Sequence, residues 1–107
     1  AACAAGAAIV YLHDEPFEAI KDTLTNSLAN VSGIVCDGAK PSCAAKIASS
    51  LDAAIMAYMM AKEGDCFSPG EGLVTADIEK TIKNIGLMAK EGMKETDVEI
   101  LTLMISE

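Results

Sequence analysis

The chain has 107 residues, of which 51% are hydrophobic but only 4% aromatic, and sixteen acidic residues outnumber eight basic ones. The basic residues are all lysine, and the formal net charge is -8. Because nucleic-acid binding needs a basic surface, this composition excludes that class and favours one small, alanine-rich helical domain.

The first part of the chain predicts two helices joined by a tight turn. The first covers residues 2–12. Asp14 is typical of an N-cap, and Pro16 suits the first turn of the helix that follows. The apolar residues of this second helix are spaced by three or four, at Phe17, Ile20, Leu24, Leu28, Val31 and Val35.

The third predicted helix is the longest and most apolar. Residues 36–41 contain the turn pairs Asp-Gly and Lys-Pro, which separate it from the second helix. Ser42 is expected to cap it, and it runs to about Glu63 and stops at Gly64. Because residues 53–61 are apolar on nearly every side, we expect a central buried helix.

The last third of the chain predicts two further helices. Residues 65–72 are dense in glycine and proline and form a loop. Thr75 or Asp77 starts the fourth helix, which ends at Gly92. A capping box that begins at Thr96 opens the fifth. The prediction is a single all-α domain, residues 1–107, of about five packed helices.

Membrane insertion and secretion are not predicted. The longest uncharged run, residues 23–36, is shorter than the roughly 20 apolar residues that a spanning helix needs. No basic segment precedes an apolar one as in a secretory signal. The four cysteines are therefore interpreted as reduced thiols of a cytoplasmic protein.

The start of the chain favours a piece of a longer protein. The first residues form an apolar helix without an initiator methionine and without a capping residue, so its first amide groups lack partners. N-terminal processing with a frayed first turn is the alternative. If the chain is a piece, a site found in it is expected to be incomplete.

The cysteines are the residues with the most chemical potential. No two of them form a CxxC pair, which excludes zinc-ribbon and thioredoxin sites. Cys36 and Cys43 flank a loop that would bring both thiols to one centre if it folds back. Cys43 falls in the first turn of the third helix, where the helix dipole favours a thiolate, and Lys40 and Lys46 add positive charge.

Less specific interpretations stay open for these residues. Each cysteine, Cys66 above all, could be a small buried hydrophobic residue, as unpaired cysteines often are. His13 could be a base, but a surface histidine at a helix end is the commoner case. Cys3 would reach the loop of Cys36 only if the first helix runs antiparallel to the second.

The sequence N-S-L-A-N-V-S-G-I-V-C-D-G-A-K-P-S-C-A-A-K, residues 26–46, closely resembles a segment of the serine dehydratase α-chain-like family. That family includes the iron–sulfur L-cysteine desulfidases. Further resemblance lies at residues 70–72, 77–86 and 90–97, and Cys3-Ala-Ala-Gly is similar to a small-residue helix of the family. The match covers nearly the whole chain and corresponds to the C-terminal part of a protein several times longer.

The resemblance implies a 4Fe–4S enzyme that removes the β-substituent of L-serine or L-cysteine and forms pyruvate and ammonia, with sulfide from cysteine. Cys3, Cys36 and Cys43 would hold three irons, and the open fourth iron would act as a Lewis acid. Lys40 and Ser42 would bind the substrate. The missing N-terminal part would supply much of the pocket, including the general base, so the piece alone is expected to be inactive and without its cluster.

Two other functions remain open from the sequence: a non-catalytic helical binding or structural domain with buried cysteines, and a redox-sensing thiol pair. The hypothesis that three cysteines hold a cluster makes a geometric prediction that the two other functions do not make. Three ligand sulfurs should lie within about 6–8 Å of one another. Cys3 can approach Cys36 only if the second helix ends or bends near Gly33.

Overall fold

A computed structural model describes residues 1–106, and within them the chain is helical without a strand, so the all-α prediction is confirmed. A π-helical turn, Met88–Gly92, joins the fourth α-helix to the fifth. The α-helices are α1 (Ala2–Leu12), α2 (Phe17–Val31), α3 (Pro41–Lys62), α4 (Ile78–Leu87) and α5 (Lys94–Ser106).

The turn between α1 and α2 differs from the prediction. Asp14 has a φ of 55°, in the left-handed region, and Pro16 rather than Asp14 precedes the first residue of α2. At its other end α2 stops at Val31, before Gly33. The predicted interruption near Gly33 is therefore present, and the chain runs without regular structure to the start of α3.

Only one of the three predicted helix caps further along the chain is confirmed. The Asp77 carboxylate accepts a hydrogen bond from the Glu79 amide at 3.0 Å and caps α4. Ser42 is not a cap, because α3 already begins at Pro41, whose fixed φ suits the first helical position. Thr96 is not a cap either, since it lies inside the first turn of α5.

The core lies where α1, α2 and α3 meet, and it is built from small residues. A Cβ atom on Gly6 would lie 3.2 Å from the Thr23 Cγ2 and 3.3 Å from the Ala54 Cβ, so the three helices lie close together at this glycine. The fully or largely buried residues are Ala2, Gly6, Val10, Thr23, Thr25, Asn26, Ser27, Ala53, Ala54, Ala57, Tyr58, Val74 and Thr81.

Asn26 ties α2 to the end of α3. Its side-chain amide donates to the carbonyl oxygens of Ala57, at 3.4 Å, and Asp65, at 3.2 Å. Its side-chain oxygen accepts from the Phe67 amide at 3.0 Å. Because Asn26 is 1% exposed, these bonds satisfy a polar group that burial would otherwise penalise.

α3 is central, since it packs against both α1 and α2, but it is buried on one face only. The expectation of burial on nearly every side is not met, because neither α4 nor α5 covers its outer face. α5 itself has no buried residue. Within the described part of the chain, no helix is long and apolar enough to cross a membrane.

Candidate cysteine site

Cys36 and Cys43 line the same small pocket, which has a volume of about 130 Å³. Cys36 lies in the segment between α2 and α3 and is exposed, whereas Cys43 lies in the first turn of α3 and is partly exposed. The other residues that line this pocket are Ile34, Val35, Lys46, Ile47 and Ser50. The two cysteines that flank the loop thus share one surface depression.

Lys46 holds this loop against α3. Its ammonium group donates to the Val35 carbonyl at 3.1 Å and to the Asp37 carboxylate at 2.8 Å. The Ser42 hydroxyl donates to the same carboxylate, at 3.3 Å and 3.4 Å from its two oxygens. The hydrogen bond from Lys46 lowers the pKa of Asp37 below its ordinary value, so the carboxylate stays charged at neutral pH.

The loop also requires Gly38. This residue has a backbone φ of 96°, a value that residues with a side chain rarely adopt. A Cβ atom here would also lie 3.0 Å from the methyl carbon of Met104. Met104 belongs to α5, so the last helix contacts the loop that carries the cysteines. A glycine therefore satisfies both the backbone conformation and the close approach.

Cys3 lies at the start of α1, away from this pocket. The relative direction of α1 and α3 gives its position. Gly6 of α1 lies against Ala54 of α3, and the His13 ring lies 5.7 Å from the Tyr58 ring further along both helices. α1 and α3 therefore run in the same direction. The start of α1 is consequently level with the middle of α3 rather than with its first turn.

The helical rise gives the separation of Cys3 from Cys43. Cys43 precedes Ala54 by about 16 Å of helix, while Cys3 precedes Gly6 by about 4.5 Å, which leaves about 12 Å along the axis. Among residues 1–106, no three His, Cys, Asp or Glu side chains are grouped closely enough to hold a metal ion. The predicted convergence of three sulfurs is therefore wrong for this chain by itself.

Burial also raises the pKa of Cys3 above its ordinary value, with a smaller opposing effect of the nearby N-terminus. A half-buried thiol of this kind is neutral at physiological pH.

Cys66 lines a second, larger and more polar cleft of about 480 Å³, between α2 and the segment that precedes α4. Partial burial, the nearby carboxylate of Asp22 and, less strongly, that of Glu71 raise the pKa of Cys66 to about 11. Its thiol stays protonated at neutral pH. Cys66 thus lies in a different cleft from the exposed Cys36.

The remaining candidate residues are His13, Lys40 and Ser42. Tyr58, beside His13, lies about 22 Å along α3 from Cys43, so the only histidine is remote from the cysteine pocket. Lys40 is exposed and directly precedes α3. The hydroxyl of Ser42 is bonded to Asp37.

One residue of the site has a larger role than the sequence indicates. The sequence indicates only that Lys46 adds positive charge near the cysteines, whereas its ammonium group bonds to the residues on either side of Cys36, Val35 and Asp37. The signal that could have found it is the opposite charge of Asp37, one residue after Cys36, and of Lys46, three residues after Cys43.

Comparison with known proteins relates this chain to a family. The sequence profile of the family described as serine dehydratase alpha chain matches residues 1–102. UPF0597 proteins of Desulfitobacterium hafniense and Finegoldia magna are 54% and 51% identical over the whole chain. A UPF0597 protein of Treponema denticola is 50% identical over the same length. No solved structure matches the chain.

The match covers the whole of this chain but only part of each relative. The chain covers 25%, 26% and 24% of the lengths of these three relatives, or about a quarter. The family match, by contrast, extends over nearly all of the chain and includes both cysteines of the pocket. The chain therefore belongs to the serine dehydratase alpha chain family.

Proposed function

We propose that this chain is the C-terminal, cysteine-bearing part of a lyase that converts L-serine or L-cysteine to pyruvate and ammonia, with sulfide released from cysteine. Family membership supports the reaction class. The observation that carries the proposal in this chain is the shared pocket of Cys36 and Cys43. A cytoplasmic location, where thiols stay reduced, is part of the proposal.

The reaction defines what the full site has to supply. A base removes the α-proton, the β-hydroxyl or β-thiol leaves as water or hydrogen sulfide, and the resulting enamine tautomerises and is hydrolysed to pyruvate and ammonia. An open iron of a 4Fe–4S cluster would supply Lewis acidity toward the leaving group. The contribution that we propose for this chain is the binding of that cluster and of the substrate.

The cysteines fit a cluster only in part. Cys36 and Cys43 line one pocket, and the exposed position of Cys36 leaves it accessible to a metal. Cys3 would become the third ligand if the start of α1 moves about 12 Å toward the loop in the longer protein. The site in this chain is therefore a thiol pair and not a complete cage.

We propose Lys40 and Ser42 as the substrate-binding residues beside the pair. Lys40 is exposed between the two cysteines and its charge is complementary to the carboxylate of an amino acid. Ser42 can bind a substrate only by giving up its hydrogen bond to Asp37. Loop opening and substrate binding would then be linked.

The main alternative, a helical structural domain with buried cysteines, fits the observations less well. A structural role is typical of buried, inert cysteines. Here Cys36 is exposed, and Cys3, Cys43 and Cys66 are each partly exposed.

A pyruvate assay tests the proposal. We define the chimera as the full-length Desulfitobacterium hafniense relative in which this chain replaces the matching quarter. Under anaerobic conditions the chimera should form pyruvate from L-serine or L-cysteine, and Cys36→Ser should abolish that activity while Cys66→Ser retains it. A folded chimera with no activity toward either amino acid would contradict the proposal.

A further inference from the structure

We propose that the outer face of α3 is the surface on which the remainder of the longer protein docks. We call this surface the outer stripe and define it by four residues of α3. They are Ile47, Leu51, Ile55 and Met59, which are 54%, 41%, 44% and 54% exposed.

The outer stripe has the pattern of a buried helix face. Its members recur every four residues, so they follow one side of the helix for twelve residues. The adjoining side of α3 is already used, since Ala53, Ala54, Ala57 and Tyr58 are buried against the other helices. A helix that is apolar on both sides is typical of the interior of a larger fold.

Length and charge identify the occupant. The relatives are about four times as long as this chain, so three-quarters of such a protein remains to cover the stripe. A second copy of the chain would bring another formal charge of -8 against the first, which opposes self-association. The remainder of the same polypeptide is therefore favoured over a homodimer.

The stripe is continuous with the cysteine pocket. Ile47 begins the stripe and also lines the pocket with Cys36 and Cys43. A segment that covers the stripe would consequently approach Cys36 and Cys43. A site that other parts of the protein complete needs those parts at this position. Only this last step rests on the proposed function; the docking surface itself stands on the exposed side chains.

The test compares the same substitutions in two settings, with thermal unfolding as the readout, so it is independent of activity. In the chimera, Leu51→Glu combined with Ile55→Glu should lower the unfolding temperature by about 5 °C or more. In the 107-residue chain alone the same pair should lower the unfolding temperature clearly less than in the chimera, because Leu51 and Ile55 are already 41% and 44% exposed there. Ser49→Glu, an exposed polar position of the same helix, is the matched control and should be neutral in both.

Each other outcome decides the matter as well. If the glutamate chimera does not fold, Leu51→Ala combined with Ile55→Ala should lower the unfolding temperature of the chimera more than that of the chain alone, and this supports the proposal. Equal unfolding temperatures for the variant and parent chimeras would overturn it. Equal destabilisation of the chain alone would overturn it too, as would a dimer of the chain, seen by light scattering, that only the stripe substitutions dissociate.

Discussion

The Lys46 ammonium lies 2.8 Å from an Asp37 carboxylate oxygen and so closes the loop between Cys36 and Cys43. Both partners are partly exposed, so the pair is a modest contributor to overall stability. Its effect is instead local, because Lys46 also holds the Val35 carbonyl. We therefore expect the pair to fix where one thiol lies relative to the other.

The first prediction concerns this pair. Phenylarsine oxide, which binds two thiols together, should bind the chain through Cys36 and Cys43. Lys46→Met should weaken that binding about two- to fivefold, because the loop is then free to open. The control is Lys80→Met, an exposed lysine of α4, which should bind as the parent does. Unchanged affinity in Lys46→Met would refute a positioning role.

The loop should also respond to acid. Because the folded pKa of Asp37 is lowered, its stabilising pair is present above the ordinary value of 3.8 and is lost as the pH falls below it. Arsenical binding to the chain should therefore show an Asp37-dependent loss only at acid pH. The measurement is the same titration at several pH values in the parent and in Asp37→Asn, and a parent that loses this contribution near pH 6 contradicts the assignment.

The second prediction concerns Cys66. Its pKa of about 11 means that the thiol resists alkylation at pH 8 and reacts only as the pH approaches 11. Since the folded pKa lies above the ordinary 9.0, the associated stability is complete below pH 9 and declines as the pH rises to 11. Iodoacetamide rates for each cysteine, read by mass spectrometry, check this.

Asp22→Asn is the informative variant for Cys66. It removes a neighbouring negative charge, so Cys66 should react at lower pH than in the parent, while the rate of the distant Cys36 is unaffected. If Cys66 reacts as fast as Cys36 in the parent at pH 8, the surroundings of Cys66 have been misassigned.

The third prediction compares two glycines within helices. At Gly6 a new Cβ would lie 3.2 Å and 3.3 Å from atoms of α2 and α3, so Gly6→Ala should lower the free energy of unfolding by about 1–3 kcal/mol. Gly86 in α4 has open space around its Cβ position, and Gly86→Ala should raise it by about 0.5–1 kcal/mol. Urea denaturation of both variants measures the difference, and changes of the same sign would contradict the packing described.

The fourth prediction concerns the buried asparagine of α2. Asn26→Ala leaves the Ala57 and Asp65 carbonyls and the Phe67 amide without this partner, which should lower the free energy of unfolding by about 2–4 kcal/mol. Asn30→Ala, at an exposed position of the same helix, should change it by no more than about 0.5 kcal/mol. Similar losses in both variants would show that Asn26 contributes only through helix propensity.

Local sequence patterns were sufficient for the fold class, because helical periodicity and breakers such as Gly33 and Pro41 act over a few residues. Local patterns could not predict which faces of α3 are buried, because this depends on which other segments cover Ile55 and Met59. The position of Cys3 was also missed, because the close approach of Gly6 to Ala54 sets the register of α1 and no local pattern encodes it. Lys46 was undervalued for a related reason: its partner lies nine residues away, across a turn.

The most direct test of the proposed cysteine site is the iron and sulfide content of the chimera, purified without oxygen. We expect about four irons and four sulfides per chain in the parent. Cys36→Ser and Cys43→Ser should each lose most of this content, whereas Cys66→Ser retains it. Full iron and sulfide content in Cys36→Ser and Cys43→Ser, or none in a folded parent chimera, would contradict the account.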